Sequence, residues 1–405
     1  MPPKNATFCR PPWLMPALLA AFLCLAPGIA SAAPLSILTY PSPNTIVDRT
    51  GATDDSQALA GVITAANLIT AQGGPACVYL PAGTYRIVTP PPAFLRAGCV
   101  RGDGPTQTIL LLDPRFTGDL FAWSESWAPT TSGPTVTNLK IQGSRAAQGP
   151  QNAFVFYDRN DEVFIDNVDV WDLPGRVLYS GVTKHVSQAY MRESHLRSLR
   201  FFQDGAPGLP VIEFNSQGAG KTDATNEIQM EQVDIFGAYG PSFVIRNNGS
   251  GGVHNITVES LRIEGWQNDQ TKGDLLTLGD PVMRGNVNNI RFTNLELIDP
   301  PAGYAALRLT AAPGTAAPYQ ITVEGMIGGG IPRGEGLRID AGRTSTFRFS
   351  GIHSFGTNVV IGRGVNQIVL DGGGQETKWT YRIDPTSRNG VFFPVLRPAD
   401  IPAGN

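Results

Sequence analysis

Between Val136 and Phe349 one short pattern recurs eight times: apolar, two variable residues, apolar, one variable residue, apolar, one more residue, and then in most copies Gly or Asp. The copies are VTNLKIQG, IDNVDVWD, LRSLRFFQ, MEQVDIFG, VESLRIEG, FTNLELID, VEGMIGGG and FSGIHSFG. They begin at Val136, Ile165, Leu196, Met230, Val258, Phe292, Val323 and Phe349, at intervals of 26–34 residues, the spacing of a solenoid. The alternation inside each copy has period two, so each predicts a strand that turns one side inward.

The second of the two residues between the first apolar pair reads Asn138, Asn167, Ser198, Gln232, Ser260, Asn294, Gly325 and Gly351. Asn and Gly accept a left-handed backbone, and the others are mostly small polar groups, so a tight bend is expected here in every coil. Stacked at about 4.8 Å, these side chains would form a polar ladder. Two positions on stand Lys140, Asp169, Arg200, Asp234, Arg262 and Glu296, then Ile327 and His353. Opposite charges on neighbouring strands contribute about 0.2–1 kcal/mol per contact. The column reads as register-fixing electrostatics, which removes Asp169, Asp234 and Glu296 from the catalytic candidates.

A second strand falls before or between the copies: AFVFYD, RVLYS, PVIEFNS, SFVIRNN, DLLTLGD, ALRLTA, GLRIDAG and NVVIGRG. Its inward positions are apolar, as at Phe154/Phe156, Ile212/Phe214 and Leu307/Leu309. The residues between and after them are expected to face solvent, with Glu213, Thr277, Arg308 and Arg338 in one line and Tyr157, Asn215, Arg246, Thr310 and Asp340 in the next. This face has no regular charge alternation, so its polar groups have no partner that the sequence assigns.

Upstream, residues 51–74 carry Leu59, Val62, Ile63, Ala66 and Ile69 at helical spacing, with Asp54 and Gln57 as a capping box and Gly73-Gly74-Pro75 as the stop. Helix capping accounts for Asp54-Asp55 better than a catalytic carboxylate pair. Two β-rich runs follow, CVYLPAGTYRIVTP and CVRGDGPTQTILLLD. The stretch GATDDSQALAGVITAA…GG…VYLPAGTYRI…RGDGPTQTIL, roughly residues 44–113, resembles the N-terminal signature of the pectate-lyase-like superfamily, to which the family 28 glycosyl hydrolases are related. The resemblance implies an all-β, right-handed, single-stranded parallel β-helix with an N-terminal capping helix, acting on a polysaccharide. It does not fix the reaction. The expected organisation is a signal peptide over 1–32, an N-terminal extension over 33–50, the capping helix over 51–75, the β-helix over 76–371 and a C-terminal cap over 372–405.

The signal reading rests on Lys4 and Arg10, the apolar run Trp13–Ala26 and Ala30-Ser31-Ala32, a small-x-small cleavage site. The run is too short and too broken by Pro16 for a stable membrane anchor, which needs about 20 apolar residues. Composition agrees with many bends, since 46 Gly and 33 Pro make up about a fifth of 405 residues. Without Lys4 and Arg10 the mature chain has 29 Lys and Arg against 34 Asp and Glu, a net charge of −5 that argues against a nucleic-acid partner. Export to a periplasm or the medium would let a disulfide persist. Cys77 and Cys99 stand 22 residues apart, about one minimal coil, so they fit equivalent positions on adjacent strands, with unpaired buried thiols as the alternative.

An open coil has no deep pocket, so a polymer site is expected along a strand face walled by the long connections 180–195 and 215–227. These hold Lys184, His185, Tyr190, Arg192, Glu193, His195, Lys221 and Asp223, beside Glu213 and Asn215. Hydrolysis needs two carboxylates, for which Glu213 and Asp223 are the first choice and Glu193 the substitute. β-Elimination from a uronic acid needs a base, for which Lys221, His185 and Arg246 are candidates, with Arg246 and Arg308 holding the sugar carboxylate. Asn215, His185, Arg308 and Tyr190 are the expected substrate contacts.

The Asn-Thr-Asp, Asp-Asp, Gly-His-Gly and Arg-Ile-Lys motifs of the superfamily's polygalacturonases are missing in order. So is the Asp-Pro-His-Asp motif of alginate epimerases. A non-catalytic carbohydrate-binding or envelope scaffold is therefore the competing reading. No cofactor is expected. The four histidines lack paired metal-ligand spacing, and calcium enters only by family analogy, without an EF-hand-type loop. Oligomeric state is not specified.

Overall fold

The computed structural model describes residues 36–39, 48–95, 98–124, 133–220, 222–265, 270–283, 285–312, 318–329, 333–340, 347–353, 358–362, 368–371, 380–387 and 391–392. The expected signal segment, Lys221 and most of the expected C-terminal cap lie outside these residues. The described strands form two parallel sheets of 17 and 11 strands that wind as a β-solenoid, with one helix.

The first sheet contains the repeated pattern. All eight starting residues stand in one register column, from Val136 opposite Ile165 through to Val323 opposite Phe349. Its longest strands are Tyr190–Phe202, Thr225–Phe236, Gly252–Glu264 and Asn286–Ile298. They can run so long because each is bent twice by a residue with positive φ. One bend is the expected column: Asn138, Asn167, Ser198, Gln232, Ser260 and Asn294 lie at φ +52° to +59°, and Gly325 at +148°. The ladder is made as well, with Asn167 Nδ2 donating to Asn138 Oδ1 at 2.8 Å and Asn294 Nδ2 to Ser260 Oγ at 3.0 Å. A second column of bends, Glu162, Glu193, Glu227, Asn255, Asn289 and Gln320, escaped the sequence reading because four of the six are Glu or Gln.

The charge column is in register from Lys140 to Glu296. Arg200 pairs with Asp169 at 2.7 Å, whereas Lys140 sits 3.6 Å above the Trp171 ring. Beyond Glu296 the register slips, so Met326 and not Ile327 stands opposite.

The second sheet is built of short strands, among them Gln151–Tyr157, Leu178–Val182, Ile212–Phe214, Phe243–Ile245, Leu276–Gly279 and Ala305–Thr310. Its inward residues meet those of the first sheet in one apolar core, with Phe94, Trp123 and Phe156 stacked at 5.3 and 5.0 Å. Helix α1, Ser56–Ala71, covers one end and buries Leu59, Ile63, Ala66 and Thr70. The expected capping box does not form. Asp54 instead accepts the Ser56 N–H at 2.9 Å, and Ser56 Oγ accepts the N–H groups of Val88 and Thr89, tying the helix to the first coil. Residues 51–54, the start of the expected capping-helix segment, belong instead to a strand, Thr50–Asp54, paired with Gly83–Ile87. Cys77 and Cys99 are opposite one another on adjacent strands, 4.3 Å apart at Cα, and form a disulfide.

Candidate functional site

On the outer side of the second sheet Tyr179, Glu213, Val244, Thr277, Arg308 and Arg338 stand in one row. The row is the expected one, but Glu213 is fully buried and not solvent-facing. Arg176, just before the neighbouring strand, donates from Nε to its Oε2 at 2.9 Å. Arg246, from the next coil, donates from Nε to Oε1 at 2.8 Å and adds an Nη2 contact to the same oxygen. Arg246 also reaches Asp280 at 3.1 Å. Burial works against the Arg246 charge, and Glu213 and Asp280 outweigh it, raising the guanidinium above its usual value. Both oxygens of Glu213 thus accept hydrogen bonds from arginine side chains.

The other expected residues are distributed around this pair. Asp223 is buried in its own turn, where Oδ2 accepts the Gly220 N–H at 2.8 Å, so its recorded partners are separate from those of Glu213. Asn215 is also buried; its Oδ1 accepts the N–H groups of Ser216 and Asn248 at 2.8 and 3.1 Å. Gly181, at φ +73°, lies against its carbonyl, and a Cβ there would stand 1.8 Å from that oxygen, so the strand end tolerates only glycine. Tyr190 belongs to the first sheet and is buried beneath Arg192, 3.8 Å above its ring; burial raises its hydroxyl pKa. Arg308 is on the row but bonds Asp340 at 3.2 Å and lies 3.6 Å from Asp274.

His185 is 54% exposed, and its Nδ1 lies 2.9 Å from Oδ2 of the fully buried Asp158. Oδ1 of Asp158 also accepts the N–H groups of Lys184 and His185 at 2.6 and 3.0 Å. Burial pushes this carboxyl up, but the donors together outweigh burial and hold it below its ordinary value. The buried carboxylate thus fixes both the turn and one edge of the imidazole, leaving the other ring nitrogen for chemistry.

Two cation–tyrosine pairs lie on adjacent strands of this face. Arg176 is stacked 4.2 Å over Tyr179, and Lys184 Nζ stands 4.2 Å over Tyr157, whose hydroxyl donates to Asp119 at 2.7 Å. Burial is the main cause that raises both tyrosine hydroxyls, reinforced by Asp119 at Tyr157 and by Glu213 at Tyr179. Arg176 uses only Nε on Glu213; its two terminal nitrogens have no hydrogen-bond partner among the described residues. Arg176 and Tyr179 were missed as site residues: strict alternation in RVLYS puts them on opposite sides, and Arg176 lies before the strand Leu178–Val182, where alternation no longer applies. Among the described residues no group of three or more His, Cys, Asp or Glu side chains gathers to hold a metal.

No protein family and no curated protein matches the sequence. Solved structures are similar in architecture at low identity. Protein ORF18 of Geobacillus virus E2 is 11% identical, TM-score 0.41, over 84% of this chain and 60% of that one. The A-module of the mannuronan C-5 epimerase AlgE6 of Azotobacter vinelandii is 14% identical, TM-score 0.39, over 84% and 95%. The catalytic unit of a GH87 α-1,3-glucanase of Streptomyces thermodiastaticus is 13% identical, TM-score 0.33, over 88% and 69%. The chain thus spans about three fifths of the viral protein's length.

Proposed function

We propose that the protein is exported and acts on an acidic polysaccharide lying along the outer face of the second sheet. The observation that carries this is Arg176. Glu213 and Tyr179 hold its guanidinium in place, and the two terminal nitrogens point away from any described partner, ready for the planar fork that a sugar carboxylate accepts. Lys184 over Tyr157 repeats the arrangement one strand away.

Of the two reactions, elimination fits the geometry better than hydrolysis. The carboxylate pair first expected for hydrolysis, Glu213 and Asp223, has its acceptors occupied by separate donors. His185, oriented by Asp158, can take the proton beside a uronate carboxyl group. That C–H bond and the neighbouring glycosidic C–O bond break, a C=C bond forms, and the leaving oxygen is protonated by solvent. Arg176 and Lys184 would hold the developing enolate charge.

The saturation of Glu213 by two arginines favours a second reading, a scaffold that binds polysaccharide without cleaving it. Incubation with a panel of acidic polysaccharides separates the readings. Ultraviolet absorbance from unsaturated uronates marks elimination, new reducing ends without it mark hydrolysis, and binding without product marks the scaffold. If no acidic polysaccharide is bound, or if Arg176→Ala binds as well as the parent, the proposal fails.

A further inference from the structure

A cleft of about 390 Å³ opens where the chain enters the long strands of the first sheet, lined by Ser250, Gly251, Gly252, His254, Asn286 and Asn288. The lining comes from two successive coils held in register, with Gly252 opposite Asn286 and His254 opposite Asn288. The two glycines keep the floor low: a Cβ on Gly251 would stand 1.9 Å from the Asp223 carbonyl oxygen, and one on Gly252 would stand 2.9 Å from the His254 ring. No carboxylate, lysine or arginine lines the cleft. The side chains of Ser250, His254, Asn286 and Asn288 have no hydrogen-bond partner among the described residues. Neighbouring Asn226, opposite His254, has a buried Oδ1 that is likewise without one.

We propose that this cleft binds an uncharged sugar residue. A hydroxyl, an imidazole and two carboxamides each donate and accept, which matches vicinal sugar hydroxyls, whereas an anionic or cationic ligand would meet no counter-charge. The cleft adjoins the arginine-bearing face through a single loop. Arg246 holds Glu213, and the next residue, Asn247, donates from Nδ2 to the carbonyls of Gly251 and Asn286 at 2.8 and 3.1 Å. The inference rests on the polysaccharide reading above and narrows it to a polymer in which neutral sugars accompany acidic ones.

The test is saturation-transfer NMR and titration calorimetry of the full chain with neutral disaccharides of glucose, galactose, mannose and xylose, and with digalacturonic acid as the charged comparison. At least one neutral disaccharide is expected to bind. Its affinity should fall about tenfold or more in Asn288→Leu and His254→Leu, the loss expected from one or two hydrogen bonds to a buried hydroxyl, and stay unchanged in Arg176→Ala. Asn286→Leu, at an exposed position, replaces either variant if it does not fold. Absence of neutral binding, equal loss in Arg176→Ala, or digalacturonate binding that depends on Asn288 would each overturn the inference. Because the acidic-polymer reading is tested separately by Arg176→Ala, failure of the one is distinguishable from failure of the other.

Discussion

Arg246 grips Glu213 across adjacent coils, 33 residues apart in sequence, while Arg176 closes on the same carboxylate from 37 residues away. Glu213 is fully buried and the arginine side chains are only 24% and 18% exposed, so water screens the group little. Glu213→Gln keeps the size of the side chain but strands the Arg176 guanidinium and leaves Arg246 with Asp280 alone. The expected cost is about 3 kcal/mol of stability, read as a lower denaturation midpoint. An unchanged midpoint would mean that the charges are solvated after all. The same variant releases Arg176, so acidic-polymer affinity should fall along with stability.

The position of Glu213 was legible in the sequence, and its environment was not. Period-two alternation says only which side of a strand a residue faces. Whether a long arginine folds over it depends on which coils become neighbours and where their turns end. The repeated pattern fared better because inward apolar residues, bends and alternating charges all demand the same stacking, so the eight copies starting at Val136 align. The capping box failed for the opposite reason. Asp54 binds Ser56 two residues on, and Ser56 Oγ in turn accepts from Val88 in a neighbouring segment that helix propensity does not consider.

Asn167 tests the bend column. At φ +54° it sits where a β-branched residue is strained, and its amide donates to Asn138 at 2.8 Å. Asn167→Val should lose about 2 kcal/mol, the sum of the left-handed backbone cost and one hydrogen bond, while Asn167→Gly should lose about half as much. Equal losses measured by urea unfolding would show that the ladder bond, not the backbone, sets the residue type.

Asp204 predicts a pH effect. It is 1% exposed and lies at the corner after the strand Tyr190–Phe202. Burial pushes its carboxyl well above the ordinary value, opposed by the Leu173 N–H it accepts and reinforced by Asp172. The native state therefore keeps a proton that the unfolded chain releases near pH 4. Above that pH the unfolded state is favoured progressively, by up to about 1.4 kcal/mol per pH unit, until the folded group also ionises. Asp204→Asn cannot ionise and retains an oxygen for Leu173, so this component of the slope should vanish while stability at pH 4 changes little. Parallel stability–pH curves for the two proteins would contradict the protonated assignment.

The sharpest test of the proposed chemistry is His185. If it removes the proton beside a uronate carboxyl, His185→Ala should lower unsaturated product formation by about 10²–10⁴-fold while polymer binding persists, because Arg176 and Lys184 remain. Asp158 acts through the imidazole and the turn, so Asp158→Asn should cost less, about tenfold to a hundredfold, and should also loosen residues 184–186, seen as faster amide exchange there. Glu213→Gln should mainly weaken binding, raising KM more than it lowers kcat. Lys221→Ala tests another base expected from the sequence; the third, Arg246, is held charged by Glu213 and Asp280. An elimination activity that survives His185→Ala but is lost in Lys221→Ala would move the base to the 215–227 connection, and one that survives both would place the site away from this face.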